Sequence, residues 1–419
     1  MRQKVKEYID QPEQLEKLYQ ADKKNFKNIF YEILPEIKSF QGIEFWKARL
    51  EFDDQKVSSV RIQKADILVL LISCFIAGFL IKLPQIFNID LKQFFFYEKN
   101  APIIVFLGLS SYLFLSRGHF NFRHILLAGF AFLISAVYIN FLPTDNNSDS
   151  IILAFIHLPL TLWCIYGLIY IDFNINDKFR RIDFIKFNGD LAILGAVIIA
   201  AGVAMTGITI GLFAAIDLQI EKFYIENIGI IGLVSAPIVA TFIIKKYPFV
   251  TNKIAPIIAN IFSPLALITL LVYLISIAFS GKDPYNDRNF LIVFNGMLLG
   301  VMAITVFSVS ETSLNTKQRF NEMTLFALSI VTLIIDLIAI SAIIYRLGEF
   351  GFTPNRIAVL GSNILIFGNL IIIMIDLYQI NFKKKDIKRV ELSIAKYLPL
   401  YALWTIFMVF ILPLIFGFK

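Results

Sequence analysis

Charge is scarce in this chain. Only 17% of its 419 residues are Asp, Glu, Lys or Arg, where a soluble globular chain carries about a quarter. There are two cysteines and three histidines. Cys74 and Cys164 both fall inside long apolar runs, which argues against a disulfide framework. No Gly-x-x-x-x-Gly-Lys-Ser/Thr phosphate loop, His-Glu-x-x-His, Cys-x-x-Cys or Gly-x-Ser-x-Gly occurs. An ATP-driven pump and a zinc protease are thereby disfavoured, and no catalytic residue, metal ligand or cofactor is assigned. The short alternating segments of an outer-membrane barrel are missing as well. No apolar stretch with a small-residue cleavage site precedes residue 65, so no cleaved signal peptide is expected. His119 and His124 are five apart, the wrong spacing for one helical face. His157, two before Pro159, is expected to bond a neighbouring helix.

What is present is apolar. The chain is 57% hydrophobic, with 42 phenylalanines and a mean hydropathy of +0.71. A bilayer core of roughly 30 Å needs about 20 consecutive apolar residues of helix, and only helices satisfy their own backbone there without closing a barrel. The apolar runs fall near 67–87, 101–116, 124–142, 151–172, 190–215, 227–244, 255–279, 290–309, 323–345, 355–378 and 397–416. The expectation is an all-α, polytopic membrane protein with about eleven spans over 66–419, in contact with the lipid bilayer. The net charge of +7 is modest and is assigned to cytoplasmic loops rather than to nucleic-acid binding. Oligomeric state is left open.

Residues 1–65 are hydrophilic, with 13 Lys/Arg against 11 Asp/Glu. Asp10 is placed to cap a helix, with Pro12 and Glu13 in its first turn. Leu15, Leu18, Tyr19, Phe26, Phe30, Ile33 and Ile37 recur at three- and four-residue spacing. A second amphipathic helix carries Ile43, Trp46 and Leu50. The reading is a small cytosolic helical hairpin, too small to bury a core alone and suited to a cytosolic protein partner.

Loop charge sets the orientation. The even-numbered connections between spans hold 17 Lys/Arg and the odd-numbered ones 7. Positive loops stay cytoplasmic. This places the N-terminus in the cytoplasm and the C-terminus on the far side of the membrane.

Ionisable groups inside spans are costly and are candidate sites by default. Asp336 lies near the middle of the ninth span, with Thr332 and Ser329 on the same face. It is either a neutral acid bonding a neighbouring helix or part of a solute or ion site. Ser362, Asn369 and Asp376 recur every seven residues on the tenth span, with Asn363 at the start of this stripe. Such a stripe faces a bundle or a wet path. Asp376 is near the span's end, where water can reach it. Asn295 stands beside Gly296-x-x-x-Gly300, and the fifth span holds Gly195, Gly202, Gly207 and Gly211; glycine pairs of this kind predict close helix packing. Pro237 and Pro264 sit inside spans, either as in the broken helices of transporters or as prolines that a membrane helix tolerates without such a role. Asn188 and Asn321 follow Phe in two similar basic loops and are expected as helix caps. A small-solute transporter or sensor leads among active roles. A scaffold that recruits a partner through the N-terminal hairpin is the rival, and a membrane enzyme comes third.

One connection stands out, "YRLGEFGFTPNR" from Tyr345 to Arg356. As a turn, its glycines reverse the chain, Thr353 caps the next helix, Pro354 starts it, and Glu349 pairs Arg346 or Arg356. As a site, Arg346, Arg356 and a helix N-terminus would hold an anion. The residues Tyr345, Arg346, Glu349, Phe350, Gly351, Phe352, Thr353, Pro354, Asn355 and Arg356 resemble a motif of a bacterial multi-pass membrane family, the domain of unknown function 4153. The resemblance covers most of the membrane region. "QPEQLEKLY" through "FWKARLEF" is similar to the cytosolic extensions of such proteins. It implies several spans and a bacterial origin, and carries over no reaction or ligand.

Overall fold

The computed structural model describes residues 2–9, 11–37, 42–58, 62–87, 95–118, 121–143, 148–214, 217–280, 285, 288–312 and 319–418. Asp10, His119, Lys317 and the 144–147 segment, used above for caps and loop charge, lie outside them. The chain divides into two units, Met1–Gln63 and Lys64–Lys419.

The first unit holds four helices: α1 (Arg2–Glu7), α2 (Pro12–Ala21), α3 (Lys23–Ile33) and α4 (Ile43–Ser58). Two were expected. Asp22 divides the long run by accepting a hydrogen bond from the Asn25 amide at 3.1 Å, which caps α3. The additional helix α1 supplies Val5 to a shared core with Leu15, Tyr19, Phe26, Phe30, Ile33, Trp46 and Leu50. Ring centroids of Phe26 and Trp46 are 5.2 Å apart. This unit therefore buries an aromatic core of its own.

The second unit is helical throughout its described residues. Among the described residues nine helices are long and apolar enough to cross a membrane: α5 (Lys64–Ile81), α6 (Phe96–Ser116), α7 (Phe122–Phe141), α8 (Asp149–Tyr170), α9 (Lys178–Ala214), α10 (Glu221–Lys246), α13 (Arg319–Phe350), α14 (Pro354–Lys383) and α15 (Lys388–Ile415). Two more, α11 (Pro248–Ser280) and α12 (Arg288–Thr312), carry the shorter apolar stretches Asn260–Ile275 and Phe294–Val309. One apolar core joins α5 to α8 with α10. A second joins α11 to α14. Helices α9 and α15 contribute to both.

Polar contacts sort the helix ends into two sets. Arg117 meets Asp172 at 3.2 Å, Lys246 meets Asp66 at 2.7 Å, and Lys186 meets Glu391 at 3.3 Å. These join the start of α5 with the α6–α7, α8–α9, α10–α11 and α14–α15 ends. At the opposite end Lys99 donates to the Leu142 carbonyl at 3.3 Å, and Tyr285 meets the Tyr345 ring at 5.7 Å. Neighbouring helices thus run up and down.

Several local expectations need correction. Pro237 and Pro264 lie within unbroken helices, with only a π turn at Ile225–Gly229. Such a proline is tolerated where neighbours supply the lost bonding. Gly195, Gly202, Gly207, Gly211, Gly296 and Gly300 would meet no atom of the described residues within 4 Å if given a Cβ, so no close helix packing is found at them there. Asn188 is inside α9, because that helix starts at Lys178; it accepts from Trp163 Nε1 at 2.8 Å. Asn321 likewise lies inside the first turn of α13. His157 Nδ1 bonds the Leu153 carbonyl of its own helix at 2.8 Å, not a neighbour.

Candidate functional site

The polar stripe of α14 meets α15. Trp404 Nε1 donates to Ser362 Oγ at 3.1 Å, and Asn369 Nδ2 donates to Tyr401 Oη at 3.1 Å. Arg389 Nε and Ser393 Oγ donate to the two carboxylate oxygens of Asp376 at 2.5 and 2.6 Å. Small residues permit the approach: a Cβ at Gly361 would lie 2.0 Å from the Trp404 ring, and one at Gly368 2.6 Å from Tyr397 Oη. Asp376 is buried rather than solvated. Its charge is offset by Arg389, which reaches it from the next helix.

Asp336 is different. Its side chain is fully buried, and neither carboxylate oxygen has a hydrogen-bond partner among the described residues. Thr332 and Ser329 share its face, yet their hydroxyls donate to the Leu328 and Phe326 carbonyls of their own helix at 2.7 and 2.8 Å. In low dielectric that is the cheaper bond for a helical hydroxyl.

The pairing of α13 with α14 shows which residues lie level with Asp336. Asn381 Nδ2 donates to the Glu322 carbonyl at 3.2 Å, which fixes the antiparallel register of α13 and α14. Fourteen residues along α13 from Glu322 is Asp336; fourteen back along α14 from Asn381 is Phe367. Asn363 and Asn369 flank that level. Asn363 Nδ2 and Asn369 Oδ1 are buried without partners, as is Asn295 Oδ1 on α12. Asp336 is also within electrostatic reach of Tyr401, the partner of Asn369. The register therefore sets Asp336 level with the Asn363–Asn369 part of α14. Thr332 bonds its own helix, Ser362 accepts from Trp404, and Asp376 is held in an ion pair. Buried polar atoms without partners are rare, and each calls for a physical cause.

Two cavities lie elsewhere. One, about 570 Å³ and apolar, is bounded by α7, α8, α9 and α15. The other, about 380 Å³, is charged and includes Arg117, Arg180 and Lys245. Neither is lined by Asp336 or Asn369. Among the described residues no three His, Cys, Asp or Glu side chains gather as a metal site would need.

The Tyr345–Arg356 stretch is a turn of three residues, because α13 continues through Gly348 to Phe350. Gly351 has φ +72, the left-handed conformation that ends a helix at glycine. Thr353 caps α14, its hydroxyl accepting from the Arg356 amide at 3.4 Å, and Pro354 opens the helix. Arg356 Nη1 donates to the Phe350 and Gly351 carbonyls at 2.7 and 2.6 Å. The expected Glu349 ion pair with Arg346 or Arg356 is not found among the described residues. The last carbonyls of α13 are nearer to Arg356 and take its donors. One nitrogen of Arg346 is buried without a partner. Arg356 Nη1 is thus engaged at the end of α13, as the turn reading requires.

Sequence reasoning missed the α15 side of the α14 seam, Arg389, Ser393, Tyr401 and Trp404. It also counted Arg117 and Lys245 only as loop charge and passed over Asp172. No family model, no curated protein and no solved structure matches this chain.

Proposed function

We propose that this chain is an eleven-span inner-membrane protein that moves or senses a small ion or solute, and that Asp336 is its charge-bearing group. The observation that supports this most is the fully buried Asp336 carboxylate, with no partner on either oxygen among the described residues. Charged groups at bilayer depth are expensive and mark ion or proton pathways when unpaired. Asn369 Oδ1 and Asn295 Oδ1 add further acceptors without donors. A set of oxygen acceptors takes a proton or a hard cation such as Na⁺. The eleven-span count adds α11 and α12 to the nine helices. The two sets of helix-end contacts fit that count, and the basic set is assigned to the cytoplasm. Membership of the 4153 family is proposed on the Tyr345–Arg356 residues alone.

The test is flux into liposomes holding the purified full chain, with proton and Na⁺ reporters inside. Wild type is expected to carry one of the two, and Asp336→Asn neither. Equal flux through both proteins would refute the assignment.

A second reading is a membrane scaffold whose N-terminal unit recruits a cytosolic partner. The closed α14–α15 seam favours it, because that seam leaves no path along the stripe. On this reading Asp336→Asn has no effect, while removal of residues 1–60 leaves insertion intact and abolishes recruitment.

A further inference from the structure

Two lysines end α10, and only one is paired. Lys246 bonds Asp66 at 2.7 Å. Lys245 donates to Ser116 Oγ at 3.1 Å, lies over the Tyr112 ring at 5.5 Å, and has no carboxylate within ion-pair distance among the described residues. It lines the 380 Å³ cavity together with Arg117, Arg180, Asp172, Asp183, Leu113 and Tyr170. The charges are three cations against two carboxylates.

Their partners differ. Asp172 is held by Arg117 at 3.2 Å and by His124 at 3.1 Å, so it is satisfied. Arg117 also donates to the Ile169 and Tyr170 carbonyls at 2.5 and 2.9 Å. Burial pushes its guanidinium below the ordinary value; Asp172 opposes this and Arg180 adds to it. Arg180 makes only a 3.6 Å contact with Asp177 and a 3.4 Å bond to the Ile171 carbonyl. Asp183 makes no ion pair among the described residues. Lys245 and Asp183 thus face one cavity with opposite charge and without touching.

The location is specific. The cavity sits where α6, α8 and α10 end and α9 begins, at the basic end of the bundle. That is the depth of lipid headgroups, just beyond a hydrocarbon core of roughly 30 Å.

We infer that this cavity is a binding site for a phospholipid headgroup that carries both a phosphodiester and a primary ammonium, the ethanolamine class, with the phosphate on Lys245 and Arg180 and the ammonium on Asp183. The phosphate receives charge-assisted hydrogen bonds from two under-partnered cations. The ammonium gives Asp183 the donor it lacks. A choline headgroup has no N–H to donate, and a glycerol headgroup has no cation. The headgroup choice therefore rests on Asp183, and the phosphate contact on Lys245.

The test uses the purified full chain in detergent, titrated with phosphatidylethanolamine, phosphatidylcholine, phosphatidylglycerol and inorganic phosphate, with lipid adducts counted by native mass spectrometry. Phosphatidylethanolamine is expected to bind wild type about tenfold more tightly than phosphatidylcholine. Lys245→Gln should weaken it by about tenfold, the loss of one charge-assisted hydrogen bond. Asp183→Asn should erase the preference over phosphatidylcholine and leave phosphatidylcholine binding unchanged. Both side chains are exposed, so the variants should fold. Equal binding of the two zwitterionic lipids to wild type overturns the inference, as does insensitivity to Lys245→Gln. Tighter binding of phosphatidylglycerol overturns the ammonium assignment. Competition by inorganic phosphate at the lipid's own concentration overturns the lipid source.

Discussion

Arg389 places its Nε 2.5 Å from Oδ1 of Asp376, thirteen residues earlier and one helix away. The contact closes one end of a seam that continues through Asn369–Tyr401 to Ser362–Trp404. Asp376 is 5% exposed at its side chain and Arg389 47%.

The first prediction follows from that asymmetry. Asp376→Ala leaves an arginine that can turn to water, so the cost falls below that of a fully buried broken pair. It should be about 2 kcal/mol. Asp376→Asn keeps the Ser393 bond and should cost about half as much. Chemical unfolding of the purified protein measures both. Equal stability of wild type and Asp376→Ala would remove the seam from the account.

The turn at Gly351 yields the second. Thr353→Ala loses the cap of α14 and should cost about 1 kcal/mol. Arg356→Gln loses two carbonyl bonds at the end of α13 and should cost a similar amount. Neither should change flux. If Arg356→Gln abolishes flux at unchanged stability, the turn is a site after all.

The third concerns topology. Single cysteines at Asn174 and Phe352, in a background where Cys74 and Cys164 are Ser, should label from opposite faces of the membrane, Asn174 from inside. Labelling of both from one face would break the up-and-down order.

A fourth concerns pH. Glu36 is held below the usual carboxylate range by a hydrogen bond from Lys6 and by Arg2 at 2.9 Å. A depressed carboxylate contributes stability above its unfolded value and loses it as pH falls through its folded value. Glu36→Gln should therefore flatten the acid side of the unfolding profile of the N-terminal unit. An unchanged profile would mean that these exposed pairs contribute nothing.

The spans were legible because apolar length is a strong signal. The Thr353–Pro354 start of α14 was legible because capping chemistry is local. The end of α13 was not, since Gly348 sits as easily in a helix as after one. The α14 stripe was visible from its sevenfold spacing, but its meaning depended on Arg389, Ser393, Tyr401 and Trp404, and nothing local says which helix they face. The N-terminal core was half visible: its apolar periodicity is plain, while the break at Asp22 depends on a single cap.

A fifth prediction separates glue from site at Asp336. A hydrogen-bonded acid should lose stability on replacement by Leu. A partnerless buried carboxyl should gain it, by about 1–3 kcal/mol, because removing an unsatisfied polar group removes its desolvation cost. Unfolding of Asp336→Leu without added cation gives the sign directly.

The most direct test of the central claim is the unfolding temperature of the full chain, wild type against Asp336→Asn, with Na⁺ replaced by choline and with pH moved from neutral to mildly acidic. Binding to the folded state alone stabilises by mass action, about 2.7 kcal/mol at a hundredfold excess over Kd. The account predicts that Na⁺ or protons raise the wild-type unfolding temperature and leave Asp336→Asn unmoved. Superimposed responses of the two proteins under every condition would contradict it.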